Sequence, residues 1–181
     1  MRHFSPSFRI WHWLNAIALF GLFITVVLRE SVMHKANIGA IVQAKMAELG
    51  SIITDEQAVM IGKAVRSPMW DWHIYLGIAV AVLLVWRLAI VVKNGFGFDD
   101  NPAMQKVYLL YRAVYGVMAI MSLSGLALYY KITGEAKENV ETLHLVLGWA
   151  IFAFIALHII GVVLAEKKDQ SGLVSRMING K

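Results

Sequence analysis

The chain has 181 residues, 59% of them hydrophobic and only 16% charged, against about a quarter charged in a soluble domain of this length. The apolar residues fall in long blocks, so the composition excludes a water-soluble globule and points to an integral membrane protein. The absence of cysteine excludes disulfides, zinc–thiolate sites and iron–sulfur clusters within the chain, and the net charge of +5 comes without the basic, aromatic-interleaved stripe of a nucleic-acid surface.

The first apolar block covers residues 8–29. It is too long for the apolar region of a signal peptide and lacks a small-residue cleavage site after it, so it is expected to stay in the membrane. Residues 30–68 form a long connection in which Ile38, Ile41, Val42, Ala44 and Met46 recur at partly helical spacing. Thr54-Asp55-Glu56-Gln57 then reads as a helix N-cap with the helix running through Val65. This predicts a small helical hairpin on the outer surface, serving either as a cap over the helices or as a docking surface for a partner.

The second block is residues 70–92, followed by the turn-rich connection Asn94–Pro102. The third is 106–130 and the fourth 140–165. Each block offers the roughly 20 apolar residues that a bilayer core demands. The expected fold is all-α: a single-domain (residues 1–181) integral membrane four-helix bundle with a helical outer connection between helices 1 and 2.

Basic residues set the expected orientation. Arg2 and Arg9 precede the first span, Arg87, Lys93, Lys106 and Arg112 flank the second connection, and Lys167, Lys168, Arg176 and Lys181 follow the fourth span. The short third connection offsets Lys131 and Lys137 with Glu135, Glu138 and Glu141. By the positive-inside rule both termini are expected to be cytoplasmic.

Of the six histidines, His3 and His34 fall in a tail and a loop, where solvated surface roles suffice. His12, His73, His144 and His158 fall inside the spans, where an ionisable group is costly and marks a functional site. His144 and His158 are fourteen positions apart, which brings them about 40° from the same helix face and about 21 Å apart along the axis. With helix 1 starting inside and helix 2 outside, His12 shares a depth with His158, and His73 with His144. An imidazole from each side of a flat macrocycle is the ligand set of six-coordinate haem iron, and a helix bundle can supply such pairs. A zinc or di-metal site needs convergent ligands, which this separation forbids for all four. A proton relay would want carboxylates in the spans, which have essentially none.

Gly77 and Gly148 each follow a histidine by four, so a missing side chain lies one turn beyond His73 and beyond His144. Either the macrocycle lies close to the backbone there, or these are ordinary small-residue helix contacts. Arg9, one turn before His12, and Arg87 could bind haem propionates or snorkel to anionic headgroups. Arg112 is a weaker third choice, and Arg66 and Lys131 stand on the outer side.

His12-Trp13, His73 with Gly77 and then Arg87, Gly125 with Tyr129, and His144 with Gly148 and His158 together resemble the bacterial cytochrome b561 family, which includes the b-type cytochrome subunits of nickel–iron hydrogenases. The likeness spans all four blocks. It implies two b-type haems and electron transfer across the inner membrane, with the quinone pool on one side and room for a bound quinone. Where family members often carry a histidine early in helix 3, this chain has Tyr108 and Tyr111. Its long first connection exceeds that of the shortest members, which favours a periplasmic redox partner or a larger redox complex; a homodimer stays open. The alternatives are a self-contained oxidoreductase that oxidises a small anion such as superoxide, drawn in by Lys35, Lys63, Arg66 and Lys131, and a transporter or anchor without haem.

Overall fold

Four long helices take up the four apolar blocks and overshoot them into the flanking polar residues. The computed structural model describes residues 4–95, 102–168 and 171–180, so Arg2, His3, Lys181 and residues 96–101 of the turn-rich connection lie outside the described residues. The elements are α1 (Pro6–Glu30), α2 (Lys35–Glu48), α3 (Asp55–Val65), α4 (Ser67–Asn94), α5 (Pro102–Tyr129), a 3₁₀ turn (Gly134–Ala136), α6 (Lys137–Lys168) and α7 (Leu173–Asn179). No strand occurs among the described residues.

Helices α1, α4, α5 and α6 are each long and apolar enough to cross a membrane. Their side chains are arranged as lipid requires. Leu157 (68%), Leu123 (67%), Val85 (67%) and Ile17 (66%) are mostly exposed, a surface that water would not tolerate over such an area. Helices serve here because each satisfies its own backbone polar groups where no water can.

The chain divides into two compact units, one of Ala18–Gly77 and one of Met1–Ile17 with Ile78–Lys181. In the first, the end of α1 runs antiparallel to the start of α4: Leu76 occupies the space left by Gly21, and the Arg29 guanidinium lies 5.4 Å from the Trp70 ring centre. The outer connection is a helical hairpin, α2 against α3. Thr54 caps α3 through a reciprocal pair, its hydroxyl accepting from Gln57 N and its own N–H donating to the Gln57 side chain. The hairpin closes tightly at two glycines: a Cβ on Gly62 would strike the Lys35 carbonyl, and one on Gly39 would come within 3.1 Å of the Ala58 carbonyl.

In the second unit the start of α1 runs antiparallel to the second half of α4, where the buried Trp11 indole donates to the Leu83 carbonyl at 2.6 Å. α5 and α6 also run antiparallel, so that Ser124 meets His144, Met121 meets Gly148 and Tyr111 meets His158. The short α7 is tied at both ends. The Glu166 carboxylate accepts from Gly172 N (2.6 Å) and Val174 N (3.0 Å) at its start. Trp13 Nε1 donates to Met177 O (3.1 Å) and Arg9 Nη1 to Ile178 O (3.4 Å) near its end, where donors complement the exposed carbonyls.

Two helices stop by the same device with different residues. After α2, Ser51 N donates to Met46 O and Gly50 N to Ala47 O, with Gly50 at φ 76°. After α5, Ile132 N donates to Ala127 O and Lys131 N to Leu128 O, with Lys131 in the left-handed region at φ 55°. Glycine occupies that region freely, whereas a side chain costs about 1 kcal/mol there. Lys131→Gly is therefore expected to stabilise the protein by up to about 1 kcal/mol, read as a higher SDS fraction at the midpoint of unfolding followed by circular dichroism; a lower midpoint would refute the strain.

Candidate functional site

Ionisable or hydrogen-bonding side chains within an apolar span persist only where something in the fold answers them. Among the described residues the buried polar side chains are Asn15, Thr25 and Ser124, and each belongs to the surroundings of a span histidine.

His73 lies near the start of α4, edge-on to Trp70 with ring centres 5.2 Å apart. Its Nδ1 is 2.8 Å from the Thr25 hydroxyl near the end of α1, and that hydroxyl in turn contacts the Leu22 carbonyl at 2.7 Å. His144 repeats this arrangement in the other unit. Its Nδ1 is 2.9 Å from the Ser124 hydroxyl on α5, which contacts the Met121 carbonyl at 3.0 Å. Gly125 completes the fit: a Cβ there would come within 3.0 Å of the imidazole Cε1, so the ring rests against α5 only because that position has no side chain.

His12 and His158 face each other, with ring centres 6.2 Å apart and planes at 53°. Two imidazoles bound to one metal from opposite sides, each with its nitrogen about 2 Å from the ion, would have ring centres on the order of 6 Å apart. At this spacing the two rings would be able to hold one metal ion between them. Aromatic rings line both partners. Phe8 is 6.5 Å from His12, Phe154 stacks on His158 at 6.0 Å, and Tyr111 meets the edge of His158 at 6.2 Å. The Tyr111 hydroxyl is 3.5 Å from His158 Nδ1, at the outer limit of a hydrogen bond. His12 Nδ1 and Asn15 Oδ1, three positions apart on α1, are both buried and find no hydrogen-bond partner among the described residues. Such groups cost about 1–3 kcal/mol each unless a bound molecule or water answers them.

The two arginines proposed from the sequence lie on the His12–His158 side of this unit. Arg87 sits over the rings of Phe8 (4.7 Å), Tyr115 (5.3 Å) and Trp11 (5.4 Å), and its Nε donates to the Tyr115 hydroxyl at 2.9 Å. Arg9 reaches α7 through one guanidinium nitrogen, while its Nε is buried without a partner. A Cβ at Gly77 would meet nothing within 4 Å, and one at Gly148 would touch only the Met121 methyl at 3.6 Å, so Gly77 borders open space and Gly148 is a helix contact.

The structure thus brings His12 and His158 together, while His73 and His144 each sit in their own unit against a buried hydroxyl. His34 precedes α2 without a side-chain cap bond, and Arg66 ends α3. Thr25, Ser124 and Asn15 were not singled out by sequence reasoning; the available signal was a hydrogen-bonding residue inside an apolar block. Tyr111 stood out only as a departure from histidine, and its place beside His158 needed the α5–α6 register.

The sequence profile described as prokaryotic cytochrome b561 matches residues 3–180. No curated protein and no solved structure matches the chain.

The aromatic box around Arg87 is testable by itself. Arg87→Ala removes three ring contacts and one hydrogen bond and is expected to cost about 1–3 kcal/mol, whereas Tyr115→Phe, which loses only the hydroxyl, should cost about 0.5–1.5 kcal/mol. Detergent-solubilised unfolding midpoints for the two variants measure the difference; equal losses would mean that the rings contribute nothing.

Proposed function

This chain belongs to the prokaryotic cytochrome b561 family, and within that family we propose that it passes electrons across the membrane through two bis-histidine b-type haems, between a periplasmic redox partner and the quinone pool. Membership makes it a multi-pass protein of the bacterial inner membrane that binds b-type haem and transfers electrons. The finer statements are the proposal.

The observation that carries it is the His12–His158 pair, with ring centres 6.2 Å apart and a buried, unpartnered His12 Nδ1. The donor set fits haem: imidazoles on separate helices with aromatic rings around them. The second pairing, His73 with His144, rests on the matched depths read from the sequence. When bound, haem supplies a one-electron couple. The chain's part is to hold the iron by nitrogen ligands, to exclude water with Phe8, Trp11, Phe154 and Tyr111, and to meet propionate charge with Arg9 and Arg87. Gly148 would serve the outer haem by keeping α5 and α6 close.

Both termini are assigned to the cytoplasm by the basic residues at the ends of the chain, which leaves the α2–α3 hairpin on the periplasmic side as the surface for a redox partner.

The test is a dithionite-reduced minus oxidised spectrum of the purified chain, with pyridine haemochrome quantification. Two low-spin b haems per chain are expected. His12→Ala and His158→Ala should each lose one and the same haem, and His73→Ala and His144→Ala the other. One haem in the wild-type chain, or loss of different haems within a pair, would break the assignment.

A further inference from the structure

A hydroxyl group has one proton to give. Thr25 Oγ1 lies 2.7 Å from the Leu22 carbonyl, and Ser124 Oγ lies 3.0 Å from the Met121 carbonyl. A carbonyl oxygen only accepts, so both hydroxyl protons are spent on it. The contacts of those same oxygens with His73 Nδ1 (2.8 Å) and His144 Nδ1 (2.9 Å) then require the imidazole to be the donor. In each ring the proton sits on Nδ1, and Nε2 is left with its lone pair. That is the tautomer a metal needs, and the hydrogen bond on the far nitrogen makes the ligand more basic and holds its plane.

We infer that Thr25 and Ser124 are positioning residues for the His73 and His144 ligands: they set the tautomer of each imidazole, fix its orientation and lower the reduction potential of the haem that the two histidines hold. The inference rests on the reading of His73 and His144 as axial ligands. It goes beyond that reading because it assigns a role to two residues that never touch iron. Both are buried, at 7% exposure. The two units arrive at the same three-atom chain (carbonyl, hydroxyl, imidazole) on different helices, α1 with α4 and α5 with α6.

The contrast within the chain strengthens the case. His12 Nδ1 has no partner among the described residues and His158 Nδ1 has only the 3.5 Å approach of Tyr111. The ligands of the two proposed haems therefore differ in basicity, and a hydrogen-bonded Nδ1–H favours ferric iron. The His73–His144 haem is expected to be the lower-potential of the two on this ground.

The experiment uses the full chain purified with its haems. Thr25→Val and Ser124→Ala remove each oxygen at nearly constant shape, and Thr25→Ser and Ser124→Thr keep it. Three quantities are read: the midpoint potential of each haem by redox titration, the largest g value of each in electron paramagnetic resonance, and the rate of haem loss to apomyoglobin. Thr25→Val and Ser124→Ala should raise the potential and shift the g value of one haem, the same one in both variants, and speed its loss about tenfold. The hydroxyl-retaining variants should return all three toward wild type. If Thr25→Val loses the haem outright, Thr25→Ser must restore it with its original potential; failure to do so overturns the inference. If His73→Ala or His144→Ala keeps both haems, the ligand assignment falls and this inference with it. If those variants lose a haem while Thr25→Val and Ser124→Ala leave potentials, g values and loss rates unmoved, the inference alone falls.

Discussion

The constraint on which everything else depends is the cost of a polar group in hydrocarbon. Backbone amides meet it by forming helices, which is why the apolar blocks can be nothing else. Side chains must meet it one at a time. In this chain His73 and His144, the buried hydroxyls of Thr25 and Ser124, the Trp11 indole and the Arg87 guanidinium each have an answering group, and among the described residues the buried side-chain atoms without one are Arg9 Nε, His12 Nδ1, Asn15 Oδ1 and Arg176 Nε.

Glycine works on the same constraint from the side of space. Gly125 admits the His144 ring to α5, Gly21 admits Leu76, and Gly39 and Gly62 bring α2 and α3 into backbone contact. In each case a missing Cβ permits a closer approach, and in the spans that approach matters more because lipid is as apolar as the side chains. At Gly77, Gly116 and Gly161 a Cβ would meet no described atom within 4 Å.

The two proposed haem sites are built unlike each other although both use imidazole. One has its ligands tied to hydroxyls and the other has its ligands among Phe8, Phe154 and Tyr111, with Arg9 and Arg87 close by. If both proposed haems are bound, positive charge near one and a more basic ligand on the other would act in the same sense, favouring reduction of the first over the second.

Composition and periodicity alone determined the membrane class, the four spans, the helical hairpin with its Thr54 cap and the four histidines, because each of these follows from local chemistry: run length against bilayer width, capping residues against free amides, an ionisable group against an apolar run. The helices continue past the expected spans into charged flanks, as α6 does from Lys137 to Lys168. What only tertiary structure decided is what each histidine faces. The 6.2 Å approach of His12 to His158, the hydroxyls on His73 and His144, and the ring box around Arg87 all depend on the rotation and register of one helix against another. A helix's own sequence says which residues share a face, but the partner of that face is set by packing with distant segments, and a lone Thr or Ser in an apolar block carries no mark of which imidazole it will meet.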